Sequence, residues 1–260
     1  MRRDGAPDDS RLGQPFRRFI VVALPRTGSS RLIEALGQHP LIVANGEALN
    51  PHQSEYSWAH EMGDSTELLI EIGFTLLGPQ NAGKRGFVTT GFKVLDEQVA
   101  DGSRHSRALD LLAADMDIRV LHVTRNPMES LRSHVQAGVT GQWQVRVPGV
   151  PPPPVYVPAQ QCQEFFQRAA AFELTVRRRF LEHEILHVTY ERMESSLNLE
   201  LTRIHSFLGV YHRPITRETL IRQEARPLSD TLINFRELKM HFRDTPYASL
   251  FAEEAGLGTS

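Results

Sequence analysis

Cysteine is nearly absent from this 260-residue chain: the single one, Cys162, has no partner for an internal disulfide and cannot form a multi-cysteine metal site. Lysine is scarce too, since only Lys84, Lys93 and Lys239 stand among the 29 basic residues and the others are arginine. Neither sign of charge dominates. The 29 basic and 31 acidic residues leave a net charge of −2, which gives no drive toward nucleic acid or an anionic membrane surface. Long apolar runs are missing as well, and the longest, Phe19 to Leu24, is far too short to span a bilayer. The opening MRRDGAPDDS is charged and turn-rich and lacks the apolar stretch of a secretory signal, so a cytoplasmic protein is expected.

What remains is the composition of an ordinary packed domain, 40% hydrophobic and 23% charged. The length suits one large α/β domain or two small ones. Residues 1–15 show no periodicity and are expected to form a flexible tail, leaving 16–260 as the domain. Phe19 to Leu24 reads as a buried parallel strand, followed by a helix from Ser29 to Gln38 that Pro40 stops. Further strands are expected at Leu41–Ala44, Phe87–Val94, Ile118–Thr124 and Ile185–Thr189. Helices fall between them, one introduced by Ser65 and one capped by Asn126 with Pro127 in its first turn. A long amphipathic helix carries Phe165, Phe166, Ala169, Phe172, Val176 and Phe180; another runs from Leu197 to Leu208. Strands alternating with helices predict a mostly parallel sheet of about five strands, covered on both faces. Residues 139–160 break this pattern with the run Pro151 to Pro154, as a substrate lid or stiff loop would.

Two motifs could carry chemistry. Pro25-Arg26-Thr27-Gly28-Ser29-Ser30 lies between the first strand and its helix. Helix-start N–H groups, a glycine and three hydroxyls can cradle an anion, with Arg26 as the countercharge. The plain alternative is a strand-to-helix turn with Ser29 as N-cap, but the carboxyl end of a strand in an open α/β sheet is where ligands bind, which favours the phosphate reading. A Walker A loop is absent. The second motif runs from Thr124 to Ser133, with Arg125 ending the fourth strand and Ser130 and Ser133 on one helix face. Two cationic, hydroxyl-lined pockets suggest a ligand with two separate phosphates. An Arg where a nucleotide triphosphatase places its magnesium-binding Asp weakens a kinase reading.

Together these motifs resemble the sulfotransferases that use 3′-phosphoadenylyl sulfate (PAPS). PRTGSS matches their 5′-phosphosulfate loop, and Arg125 with Ser133 matches their 3′-phosphate pair. The chain is similar above all to the nodulation-type (NodH-like) bacterial carbohydrate sulfotransferases. His39-Pro40 through Glu47, TRNPMESLRSHVQAG, the proline run, YERM at Tyr190 and RQEARPLSDTLINF at Arg222 carry that similarity. The resemblance implies a P-loop-like sulfotransferase fold and PAPS as donor, without a metal. It further implies a carbohydrate or glycolipid acceptor of lipo-chitooligosaccharide type, Glu47 as catalytic base and Lys93 as a catalytic cation. Arg26, Thr27, Gly28, Ser29, Ser30, Arg125, Ser133 and Arg222 would bind the donor. Arg26, Lys93 and the loop N–H groups would stabilise charge on the departing oxygen. A tyrosine, phenol or natural-product alcohol is the alternative acceptor; a P-loop-like kinase and a non-catalytic nucleotide-binding protein are the competing classes.

His183-Glu184-Ile185-Leu186-His187 matches the zinc-protease pattern H-E-x-x-H, which needs a helix to bring both histidines to one face. Here the β-branched ILHVT reads as strand, and four strand steps separate the two Cα atoms by about 13 Å. Zinc binding is rejected on that ground. Arg177-Arg178-Arg179 reads as a solvated helix end and Cys162 as core.

Overall fold

The computed structural model describes residues 16–252 except 64, 77–80, 82, 83, 85, 148, 217–219, 221–223 and 225. The tail expected at 1–15 and the candidate Arg222 lie outside the described residues.

β1 (Arg17–Ala23) is buried on both sides from Phe19 onward, as its unbroken apolar run requires of a central parallel strand. β2 (Ile42–Asn45), β3 (Thr89–Leu95), β4 (Arg119–Thr124) and β5 (Ile185–Thr189) complete a five-stranded sheet in the order β2-β3-β1-β4-β5. All its pairings are parallel. The strands fall within two residues of their expected limits. Alternate residues of the central strands feed two separate cores. Ile20, Val22, Phe92, Val94 and Val120 pack against α3 (Thr66–Thr75), α5 (Ala108–Ala113) and α7 (Ala159–Arg179). Phe19, Val21, Ala23, Leu121 and Val123 pack against α1 (Ser29–Gly37) and α8 (Tyr190–Leu208). This is a single α/β domain with helices on both faces of the sheet.

One backbone approach is close enough to exclude any side chain. Gly91 of β3 lies opposite Phe19 of β1, and a Cβ there would stand 2.2 Å from the Phe19 carbonyl oxygen.

The remaining helices are short, apart from one. α2 (Ser57–Glu61) and α4 (Asp96–Val99) sit in the connections around β2 and β3. α6 (Pro127–Thr140) is capped by Asn126, whose Oδ1 accepts from Met128 N at 2.8 Å. α6 and α7 form a third core with α9 (Leu228–Thr231), α10 (Phe235–Phe242) and a 3-10 turn at Ala248–Phe251. Buried Cys162 belongs to that core. Ser196 kinks α8; its second part, from Leu197, is the helix the sequence pattern predicts, and the part from Tyr190 lies before that expected start.

The proline-rich stretch is anchored. Val155 bridges Leu232, Gln136 Nε2 donates to the Pro153 carbonyl at 3.1 Å, and Arg226 donates to the Pro152 carbonyl at 2.6 Å. Ile185, Leu186 and His187 lie on β5 and His183 and Glu184 just before it, so no helix carries the HExxH match.

The chain leaves β1 for β2 on one side and reaches β4 on the other, so the connections after β1 and β4 diverge. A crevice opens there at the carboxyl edge of the sheet.

Candidate active site

The loop after β1 holds two residues in left-handed conformation, Arg26 at φ 66° and Gly28 at φ 83°. For Arg26 this costs about 1–3 kcal/mol, a strain found where a loop is shaped for a ligand. Gly28 is the N-cap of α1, and no side chain caps that end of the helix. Ser29 is thus inside the helix rather than its cap, contrary to the plain-turn alternative. A Cβ on Gly28 would stand 2.7 Å from Tyr190 Cδ2, so the ring is seated directly on the loop. The Arg125 guanidinium lies 3.9 Å from the centre of the same ring. Tyr190 therefore joins the two loops.

A pocket between these loops is lined by Arg26, Gly28, Ser29, Ser30, Arg125, Arg132 and Ser133, among others. The Arg26 Nε donates to Ser133 Oγ at 3.1 Å, and Arg125 donates to the Arg26 carbonyl at 3.0 Å. Burial, with Arg125 and Arg132 nearby, lowers the Arg26 pKa to about 10 against a partial offset from Tyr190. Its guanidinium stays charged at neutral pH. Mutual repulsion among buried guanidiniums is what a bound anion would relieve.

Thr27 departs from its sequence partners. Its hydroxyl donates back to the Leu24 carbonyl at 2.9 Å and is absent from the pocket lining. Ser130 and Ser133, expected on one face, also part company: Ser133 lines this pocket, while Ser130 faces a second cavity beside α7.

Glu47 and Lys93 meet beside the loop. Lys93 is the fifth residue of β3, and its Nζ lies 2.7 Å from Glu47 Oε1 and 2.7 Å from Ser30 Oγ. Glu47 follows β2, and its Oε2 accepts from Asn50 at 2.7 Å and Gln98 at 2.8 Å. The Lys93 and Glu47 side chains are only 7% and 12% exposed, and neither lines the arginine pocket, which they adjoin through Ser30. Beyond it, Arg168 of α7 holds Asp96 through two hydrogen bonds of 2.5 and 2.9 Å. The neighbouring Glu97 carboxyl is pushed up, by burial first and then by the like charges of Asp96 and Glu47.

Sequence reasoning missed several of these groups. Arg132 is fully buried, donates to Gln136 at 2.8 Å and shares Glu129 with Arg125. Its signal was present, since it falls inside the second motif three residues from Glu129. Asn50, Gln98 and Arg168 carried no signal, because only folding brings them to Glu47 and Asp96. Trp143 accepts a hydrogen bond from Arg26 through its carbonyl and borders the arginine pocket. Tyr156 is 57% exposed and lines neither pocket.

A family model described as "Sulfotransferase domain" matches residues 16–228. The chain is 34% identical over 235 residues to Nodulation protein H of Rhizobium tropici, covering 90% of this chain and 92% of that one. It is likewise 34% identical over 240 residues to Nodulation protein H of Rhizobium meliloti (strain 1021), with 91% and 96% covered. A solved sulfotransferase from Alicyclobacillus acidocaldarius shares the fold, with a TM-score of 0.51 at 14% identity, covering 91% of this chain and 95% of that chain.

Proposed function

Because this chain belongs to the sulfotransferase domain family and is a transferase of that class, we propose that it moves the sulfuryl group of 3′-phosphoadenylyl sulfate to a carbohydrate or glycolipid hydroxyl, releasing 3′,5′-ADP. The observation that carries this reading is the Ser30–Lys93–Glu47 chain of contacts, which ties the α1 loop to a shielded carboxylate.

The residues fit a donor with two separated anionic groups. Ser29, Ser30 and the uncapped N–H groups of α1 form one lobe, and Arg125, Arg132 and Ser133 the other. PAPS supplies an activated sulfuryl group with a good leaving group. In our reading Glu47 accepts the proton of the attacking hydroxyl. Lys93 and Arg26 place positive charge where the leaving oxygen becomes anionic. Sulfuryl transfer is comparable to phosphoryl transfer, so positioning and electrostatics carry most of the rate. No step calls for a metal. Arg222 would close over the donor from the 3′-phosphate side.

The groups beyond Glu47 favour a polyhydroxylated acceptor over a phenol. Asp96 and Arg168 form directional hydrogen bonds with each other and Glu97 is ionisable, whereas a flat aromatic alcohol calls for apolar walls. The 34% identity to Nodulation protein H supports the same class by resemblance. In this reading residues 139–160 border the acceptor, with the proline run anchored as a stiff loop.

Titration calorimetry with 3′,5′-ADP, run beside ATP with Mg²⁺, tests the donor. Metal-independent binding of 3′,5′-ADP with weak or no ATP binding is expected; a preference for Mg-ATP would move the protein to the kinases. Mass spectrometry of chitooligosaccharides incubated with PAPS tests the acceptor. A gain of one sulfuryl group on the sugar is expected, and sulfation of tyrosine peptides or phenols alone would overturn the carbohydrate assignment.

A further inference from the structure

Two amide side chains contact Glu47 and have no role in the reading above. Gln98 of α4 and Asn50 of the β2–α2 connection both donate to Glu47 Oε2, at 2.8 and 2.7 Å. Each is itself pinned at its other end. Gln98 Oε1 accepts from Leu95 N and Asn50 Oδ1 accepts from His52 N, both at 3.0 Å. An amide whose oxygen is held by a backbone N–H presents its NH₂ group to the carboxylate, so the orientation of both is fixed. The two Glu47 oxygens are therefore unequal. Oε2 faces two donors, whereas Oε1 has one partner among the described residues, Lys93 Nζ at 2.7 Å. Lys93 in turn lies 2.7 Å from Ser30 Oγ, so Oε1 is the oxygen on the side of the α1 loop. A glutamate's last side-chain torsion is broad and roughly two-fold, so an untethered carboxylate beside an ammonium is free to turn and share both oxygens with it. Two donors on Oε2 oppose that turn.

We infer that Gln98 is a positioning residue for sulfuryl transfer: with Asn50 it holds Glu47 by Oε2, so that Oε1 is the oxygen that receives the acceptor's proton. The inference rests on Glu47 as the base, as proposed above. In that step the acceptor O–H bond breaks and its proton goes to Oε1, while the acceptor oxygen bonds to sulfur. The bond from sulfur to the departing phosphate oxygen breaks, and that oxygen keeps the electron pair, stabilised by Lys93. Gln98 acts only through Glu47. It lies just beyond β3 in the helix that follows, so the strand end that supplies Lys93 also supplies the tether of the base. The backbone keeps the same register, since Lys93 N donates to the carbonyl of Gly46, the neighbour of Glu47, at 2.9 Å.

Gln98→Met removes both hydrogen bonds at similar side-chain length. Gln98→Glu keeps an acceptor for Leu95 N but gives an ionised Glu47 no donor, and it serves if the Met variant does not fold. Sulfation of chitooligosaccharides from PAPS, followed by mass spectrometry, should show kcat reduced about 10–10²-fold in both, with 3′,5′-ADP affinity within about twofold of wild type. If Gln98 merely starts α4, Gln98→Glu would restore turnover, and that result would overturn the inference. The Glu47→Gln background isolates the coupling. There Gln98→Met should change kcat by less than about twofold further, because its effect passes through the carboxylate. Full multiplication of the two losses would overturn the inference, since Gln98 would then act independently of Glu47. Wild-type turnover in both Gln98 variants, with Glu47→Gln slow, would remove Gln98 and leave Glu47 as the base. Wild-type turnover in Glu47→Gln would instead remove the base, and this inference with it. A crystal structure of either Gln98 variant needs no acceptor. It should show the Glu47 carboxylate turned about its last torsion, and an unmoved carboxylate would overturn the positioning role.

Discussion

Lys93 has three N–H bonds, and two are committed to Ser30 and Glu47. The third is what our reading gives to the departing oxygen. Lys93→Met should therefore lower kcat about 10²–10³-fold while leaving 3′,5′-ADP binding within a few-fold of wild type. Steady-state kinetics beside calorimetry read the two effects separately. Glu47→Gln keeps the hydrogen bonds of the carboxamide oxygen but removes the proton acceptor, and kcat should fall about 10²–10⁴-fold. Unchanged turnover in that variant would remove Glu47 from the mechanism. Arg125 bonds a backbone carbonyl, pairs with Glu129 and stacks on Tyr190. Arg125→Ala should weaken 3′,5′-ADP about 10–100-fold, the value of a charge-assisted hydrogen bond, and Arg125→Lys should recover little because lysine has no planar fork to stack.

At the level of elements, two parallel strands owe their spacing to one residue without a side chain. Gly91→Ala would drive a methyl group into the Phe19 carbonyl, which is backbone and cannot move aside without breaking the β1–β3 ladder. A loss of more than about 3 kcal/mol is expected, read as a lowered urea midpoint or as insoluble protein. A wild-type midpoint would mean that the strands can part. Glu129 plays a comparable part within α6. One carboxylate faces Arg125 four residues before it and Arg132 three residues after it, so a single helical turn holds two buried guanidiniums near the pocket.

At the scale of the molecule, His105, His122 and His205 are all buried, and burial lowers each pKa from 6.5 to about 4, helped by neighbouring histidines or arginine. The sign follows from linkage. Between the unfolded value of 6.5 and the folded value of about 4, the unfolded chain binds more protons than the native one. Stability should therefore be full above pH 6.5 and fall as the pH drops toward about 4. Urea unfolding at a series of pH values checks this, and His122→Phe should flatten the slope. A stability independent of pH across that window would contradict the burial of these rings in their neutral form. No helix among the described residues is long and apolar enough to cross a membrane.

Chain order alone determined a good deal. The apolar and β-branched runs at Phe19, Ile118 and Ile185 marked strands, because strands of a covered parallel sheet are built mainly from such residues. Asn126 marked a helix start, because capping depends on near neighbours, whereas the Gly28 cap of α1 emerged only in the structure. The same locality made Arg26, Ser29, Ser30, Arg125 and Ser133 legible, each in the loop or helix that follows a strand. Glu47 and Lys93 are different: a lone Glu and a lone Lys carry no local signal, and the family resemblance rather than residue chemistry singled them out. Tertiary structure alone decided that Asn50 and Gln98 hold Glu47, that Arg168 reaches Asp96, and that Thr27 and Ser130 face away from the arginine pocket. Those outcomes depend on the sheet order β2-β3-β1-β4-β5. It brings residues 63 positions apart, Ser30 and Lys93, within 2.7 Å of each other, and no local pattern of residues encodes such a distance.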